Sequence, residues 1–152
     1  MSDVPAGTDR LAALPPLGPG ACARRREEPL TQSDLAAYAS ASGDLNPIHL
    51  DDAAARAAGL PGVVVMGMLP AGLLGRLAAD WLGLEQLEHF SVRFRRPIWP
   101  GEPLDLEARV EELDEESVEL ALALEVDGEV RIDGRASGRV GSRSGASEGR
   151  SL

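Results

Sequence analysis

Between Val63 and Leu82 apolar residues recur at helical spacing, with Leu69, Leu73, Leu77 and Trp81 one turn apart and Leu74, Ala78 and Leu82 beside them. A helix apolar over so much of its circumference has to be covered on several sides. Pro70 fixes where it starts, because proline lacks an N–H and is tolerated only in the first turn, so the helix is predicted to begin near Gly67 or Met68 and run to Leu82. The apolar run from Gly59 to Gly75 is broken by Pro61 and Pro70 and followed by Arg76 and Asp80, which makes it too short to span a bilayer. It reads as a core element. Gly72 and Gly75 are expected to let another backbone approach closely.

After Gly83 the period changes from 3.6 to 2. "HFSVRFRRP" puts Phe90, Val92 and Phe94 on one face, and "PLDLEARVEEL" alternates Leu104, Leu106, Ala108 and Val110. "SVELALALEVDGEVRIDGRASGRV" contains two strands joined at Asp127-Gly128, a type I′ hairpin signal. With a further strand in "GACARRREE", about five largely antiparallel strands are available to cover one long helix, an α+β arrangement. Ahead of the helix, Thr31 is an N-cap with Asp34 in the first turn of a helix ended by Gly43. A second short helix fits Asp51 to Ala58, stopped by Gly59 and the Pro61-Gly62 turn.

A chain of 152 residues, 43% hydrophobic, suits one domain with one core. Only 3% is aromatic, so Leu, Val and Ala must build that core, and stacking on nucleic-acid bases is disfavoured. A net charge of -10 opposes binding to nucleic acid or to anionic lipid, and a phosphate-bearing ligand would need a local basic patch. Two such patches exist, Arg24, Arg25 and Arg26, and Arg93, Arg95 and Arg96; each is either a solvated strand face or a phosphate contact, and the sequence does not rank them. Residues 1–18 and 141–152 are rich in Gly, Ser, Pro or charge and are expected to be a flexible segment and a disordered tail around a domain spanning 19–140. The start of the chain, with Asp3, Asp9 and several prolines, does not read as a signal peptide, and a cytoplasmic protein is expected. The lone Cys22 forms no intrachain disulfide and is read as a small packing residue.

The chemistry concentrates in "SGDLNPIHLDD", Ser42 to Asp52. Asn46-Pro47 is a stiff turn that can hold Asp44 and His49 on one side of a loop. A carboxylate and an imidazole sharing a water form a general acid/base device near neutral pH. Residue types alone leave open the plainer alternative, in which Asp44 caps the turn and His49 starts the next helix. Gly67, at the start of the central helix, adds unpaired N–H groups and the positive end of the helix dipole, an oxyanion site. His49 and His89 are too far apart for metal-ligand spacing, Asp51 and Asp52 fit as helix-start residues, and His89 reads as a strand-end surface residue.

The stretch "SGDLNPIHLDDAAARAAGLPGVVVMGMLPAGLLGRL" resembles the hydratase motif of the MaoC-like, (R)-specific enoyl-CoA hydratase family, and "VRFRRPIWPGEPL" is similar to the family's strand after the central helix. The resemblance implies a hot-dog fold, a sheet wrapped around one helix. It implies reversible hydration of trans-2-enoyl thioesters of CoA or acyl carrier protein, with Asp44 and His49 holding the water, Gly67 offering its N–H to the thioester carbonyl, and Met66 and Asn46 on the substrate side. Family members typically carry His before that glycine, where this chain has Met66, expected to line the acyl or pantetheine channel by shape. No metal or redox cofactor is implied. A homodimer, or a heterodimer with a related hot-dog subunit, is expected. The alternatives are a non-catalytic partner subunit and an acyl-CoA thioesterase.

Overall fold

The computed structural model describes residues 13–141. Strand β1 (Cys22–Glu27) leads to helix α1 (Gln32–Ser42), a 3-10 turn (Pro47–His49), helix α2 (Asp52–Ala57) and the long helix α3 (Met68–Leu82). Strands β2 (Leu87–Phe94), β3 (Leu104–Leu113), β4 (Ser117–Val126) and β5 (Glu129–Arg139) follow. The five strands form one antiparallel sheet in the order β1-β3-β4-β5-β2.

Local chemistry sets the boundaries. Thr31 accepts from the Asp34 N–H while Asp34 accepts from the Thr31 N–H at 2.7 Å, a reciprocal capping box, and Gly43 at φ 78 ends α1 in a conformation that favours glycine. Asp51 caps α2 by accepting from Ala53 N–H at 2.7 Å. Pro70 sits in the first turn of α3. Asp127 and Gly128 both have positive φ, 50 and 79, as a type I′ turn requires, so β4 and β5 pair directly across them.

Helix α3 packs on β2, β3, β4 and β5, the single helix wrapped by a sheet that defines a hot-dog. Leu104, Leu106, Ala108 and Val110 of β3, and Val118, Leu120, Leu122, Leu124 and Val126 of β4, point into that core, alternating with charged residues on the outer face of β3 and with Glu119, Ala121, Ala123 and Glu125 on that of β4. The face of α3 turned to the sheet is that of Pro70, Ala71, Leu74, Leu77, Ala78, Trp81 and Leu82; Leu69 and Leu73 of the expected stripe are only half-buried at its margin. The sheet covers Leu77 and Trp81 of the expected stripe together with the neighbouring row of Pro70, Leu74, Ala78 and Leu82, and only the first half of the stripe is left at the margin.

Close approach also falls elsewhere than expected. A side chain at Gly72 would meet nothing outside the helix, and one at Gly75 would touch the Phe90 ring at 3.5 Å. The glycines that admit a neighbouring backbone are Gly134 and Gly138 of β5, where a Cβ would collide with the carbonyls of Ser91 and Gln86. Part of the expected flexible N-terminal segment is anchored: Trp81 Nε1 donates to Pro15 O at 2.7 Å, and Leu14 and Leu17 pack against the core. The rest of that segment, and the tail from 142 on, lie outside the described residues. Among the described residues no helix is long and apolar enough to cross a membrane.

The helix face has a measurable consequence. Leu74→Ala is expected to cost about 2–5 kcal/mol in chemical denaturation, the range of fully buried leucine truncations, and Leu73→Ala less than half as much. Equal losses would mean that the two positions are covered alike.

Candidate active site

The loop between α1 and α2 has nearly every turn of its backbone specified. Asp44 N–H donates to Ser42 Oγ at 3.2 Å, Asn46 N–H to Asp44 Oδ1 at 3.4 Å, and Ile48 N–H to Asn46 Oδ1 at 3.3 Å. Asn46 is thereby the cap of the 3-10 turn with Pro47 at its first position, and its side-chain oxygen serves the turn. This tight winding returns the chain on itself, so that His49 Nε2 comes to 3.7 Å from Asp44 Oδ2. The imidazole is 12% exposed and the carboxylate 43%, so one wall of the pair is protein and the other is open.

The other ring nitrogen decides what His49 can do. His49 Nδ1 lies 2.6 Å from Val64 O. A carbonyl only accepts, so Nδ1 carries the proton, and in the neutral ring Nε2 presents its lone pair toward Asp44. A water oxygen about 2.8 Å from each can sit between Nε2 and Oδ2, donating one proton to either. The pair that spacing left ambiguous is brought together by the structure, and Asp44 both accepts a turn hydrogen bond and faces the imidazole.

Val64 belongs to an extended segment held at three successive N–H groups. Val63 donates to Asp52 Oδ1 at 3.0 Å, Val64 to Ile48 O at 3.1 Å and Val65 to Ile98 O at 2.9 Å. The segment runs straight into α3. Gly67, at φ -56 and ψ -37, is the cap residue, and among the described residues its N–H has no acceptor. A Cβ on Gly67 would lie 2.8 Å from the Phe94 ring, so the absent side chain is what lets Phe94 rest over this backbone. Val64, Val65, Gly67, Pro70, Phe94 and Ile98 line an apolar groove of about 310 Å3, closed on further sides by Ile132, Pro97 and the stems of Arg95 and Arg96.

Met66 does not line this groove. It is 1% exposed and packs in the core, as Val63 and Val65 do, while Val64 is half-buried. The two arginine clusters now separate. Arg24, Arg25 and Arg26 are paired with Glu107, Asp80 and Asp105. Arg95 and Arg96 are paired with Asp133 and Glu129 but border the groove, and Arg93 has no carboxylate within ion-pair distance among the described residues. His89 is exposed within β2. Burial, then the Glu107 carboxylate, pushes the Cys22 thiol above its usual range, against a thiolate role. The Val64 carbonyl was missed at the sequence level, since a main-chain acceptor carries no residue signature.

A family model described as MaoC like domain matches residues 19–129. The (R)-specific enoyl-CoA hydratase of Aeromonas caviae is 33% identical over 86 residues, 55% of this chain and 64% of that protein. The mitochondrial 3-hydroxyacyl-[acyl-carrier-protein] dehydratase of Arabidopsis thaliana is 33% identical over 81 residues, 53% of this chain and 48% of that protein. Among solved structures, R-Hydratase PhaJ1 from Pseudomonas aeruginosa superposes with a TM-score of 0.72 at 31% identity, covering 80% of each chain. The chain spans less than two thirds of the length of these curated relatives, and only 4% of a fatty acid synthase beta subunit it also matches. With the family model covering well over half of its residues, the one-helix sheet and the Asp44–His49 loop belong to a member of the MaoC like domain family.

Proposed function

We propose that this chain catalyses the reversible hydration of trans-2-enoyl thioesters to 3-hydroxyacyl thioesters, carried on CoA or acyl carrier protein. The observation that carries the reading is the His49 ring, which turns a basic Nε2 to the Asp44 carboxylate at 3.7 Å because its Nδ1 proton is committed to Val64 O at 2.6 Å. In the forward direction the water oxygen bonds to Cβ while its proton passes to Nε2 or to the carboxylate, and the pair returns a proton to Cα. Negative charge that gathers on the thioester oxygen between these events meets the Gly67 N–H at the positive end of α3. General acid/base assistance and one oxyanion donor are each worth orders of magnitude in rate, and neither needs a large motion.

The surroundings suit such a substrate. The groove that runs from Gly67 along Phe94, Pro70 and Ile98 is apolar, fit for an acyl or pantetheine chain, and Arg95 and Arg96 at its border, with Arg93 nearby on β2, offer positive charge to phosphates on an otherwise acidic protein. Leu45, 65% exposed, places an apolar side chain beside Asp44 in water, as a surface completed by a ligand or partner would. Strand β2 is an edge of the sheet and carries the exposed rings of Phe90 and Phe94, which favours pairing with a second hot-dog unit, the same chain or a related one. We place the protein in the cytoplasm and assign it no nucleic-acid or membrane partner, in keeping with its net charge of -10.

Two substitutions test the assignments. Asp44→Asn keeps an acceptor for Asn46 N–H, so the fold should hold, while loss of enoyl-thioester absorbance should slow by at least about a hundredfold; undiminished turnover would move the chemistry elsewhere. At Gly67 the backbone already has a φ that proline adopts. Gly67→Pro deletes the N–H and should raise the barrier by about 3 kcal/mol. Gly67→Ala keeps the N–H and has only to displace the half-exposed Phe94 ring, so it should lose much less. Equal losses in the two folded variants would remove the oxyanion role.

A further inference from the structure

The loop from Pro97 to Glu102 contributes no side chain to the Asp44–His49 pair, yet it fixes the segment that anchors His49. Ile98 O receives the Val65 N–H at 2.9 Å, one residue from the carbonyl that holds His49 Nδ1. This loop is in turn held from β5 by one side chain. Arg131 Nη1 donates to Pro97 O, and Nη2 lies 3.4 Å from Glu102 Oε1, while Glu102 Oε2 accepts from Trp99 N–H at 2.9 Å. The Arg131 main chain adds to the grip, its carbonyl accepting from Arg95 N–H at 2.8 Å and Arg96 N–H at 3.2 Å.

Arg131 is 13% exposed, and its Nε is buried, 3.2 Å from Glu129 Oε2 but without a hydrogen bond to it. The Glu102 and Glu129 carboxylates, 3.4 and 3.2 Å away, offset the cost of drawing a guanidinium in this far. Its two engaged donors both go to the loop that fixes Val65, and none goes to the apolar core. The loop is also tied to the start of α1 through Gly101 N–H to Leu30 O at 2.9 Å, so Arg131 acts where the segments around the site meet.

We infer that Arg131 is a positioning residue for His49: by clamping Pro97 and Glu102 it sets Ile98 O, hence Val65, hence the Val64 carbonyl that selects the ring tautomer. The inference rests on the hydratase reading for its effect on rate, but not for its effect on the ring. A misplacement of a reacting group by about 1 Å can cost about a hundredfold in turnover. Arg131→Lys can restore only one of the two donor contacts and should fall between the parent and a variant with none.

Only two histidines are present, so imidazole 15N NMR resolves His49 from His89 without ambiguity. In the parent, neutral His49 should be the Nδ1–H tautomer. In Arg131→Met it should become a mixture of tautomers, kcat on an enoyl-CoA should fall roughly tenfold or more, and KM should stay within about twofold. If Arg131→Met does not fold, Glu102→Ala, which removes one arm of the clamp from an outer loop, should shift the same signals in the same direction. An unchanged His49 tautomer in the folded variant overturns the inference, as does a shifted tautomer with undiminished kcat in an active protein. A parent inert toward enoyl thioesters whose His49 tautomer still depends on Arg131 would overturn the proposed activity and leave the positioning role standing.

Discussion

Helix α3 has seven buried side chains in fifteen residues, and water cannot cover them. Four strands of the sheet do so, and the wrapping fixes more than stability. It leaves the helix end at Gly67 in the apolar groove, its N–H without an acceptor among the described residues, because the chain enters the helix from an extended segment and not from a capping side chain. Removing a large side chain from this face would cost a few kcal/mol, a sizeable share of the stability of a domain this size. Placement of the oxyanion candidate therefore follows from core packing.

The Val63–Met66 segment couples that packing to the candidate chemistry. Within it, Val63, Val65 and Met66 are buried, and Val64 and Val65 line the groove. Its main chain is hydrogen-bonded on one side to the loop that carries His49 and on the other to the loop held by Arg131. One short extended piece therefore orients the imidazole, delivers Gly67 and lines the groove. A displacement of this piece would shift both the Val64 carbonyl that holds His49 and the backbone that leads into Gly67, which ties the two to the same supports.

Much of this was legible in the residues. The helix limits at Met68 and Leu82, the hairpin at Asp127-Gly128 and the N-cap at Thr31 are local effects, and local spacing carries them. Asp44 and His49 were legible as a pair because Asn46-Pro47 restricts the turn between them, although their approach depends on Val64, fifteen residues away. What could not be read depends on tertiary partners. The buried face of α3 was ambiguous because Leu69, Leu73 and Leu74 are equally apolar, and only the sheet distinguishes them. Met66 was assigned to a channel from its place in a motif, while tertiary packing buries it in the core. The pairing of Arg24, Arg25 and Arg26 needed the β1–β3 register and the packing of Asp80 beside β1. Arg131 gave no signal at all, because the Pro97 carbonyl and the Glu102 carboxylate that it holds lie in a loop distant in sequence.

The central claim is that Asp44 and His49 direct water to Cβ of an enoyl thioester and leave the thioester bond intact. It is tested by incubating the protein with crotonyl-CoA in 18O-labelled water and locating the label by mass spectrometry. The account predicts one 18O in the 3-hydroxyl group of an intact 3-hydroxybutyryl-CoA, with no release of free CoA. Label in a free carboxylate together with released CoA, or recovery of unlabelled crotonyl-CoA alone, would contradict it.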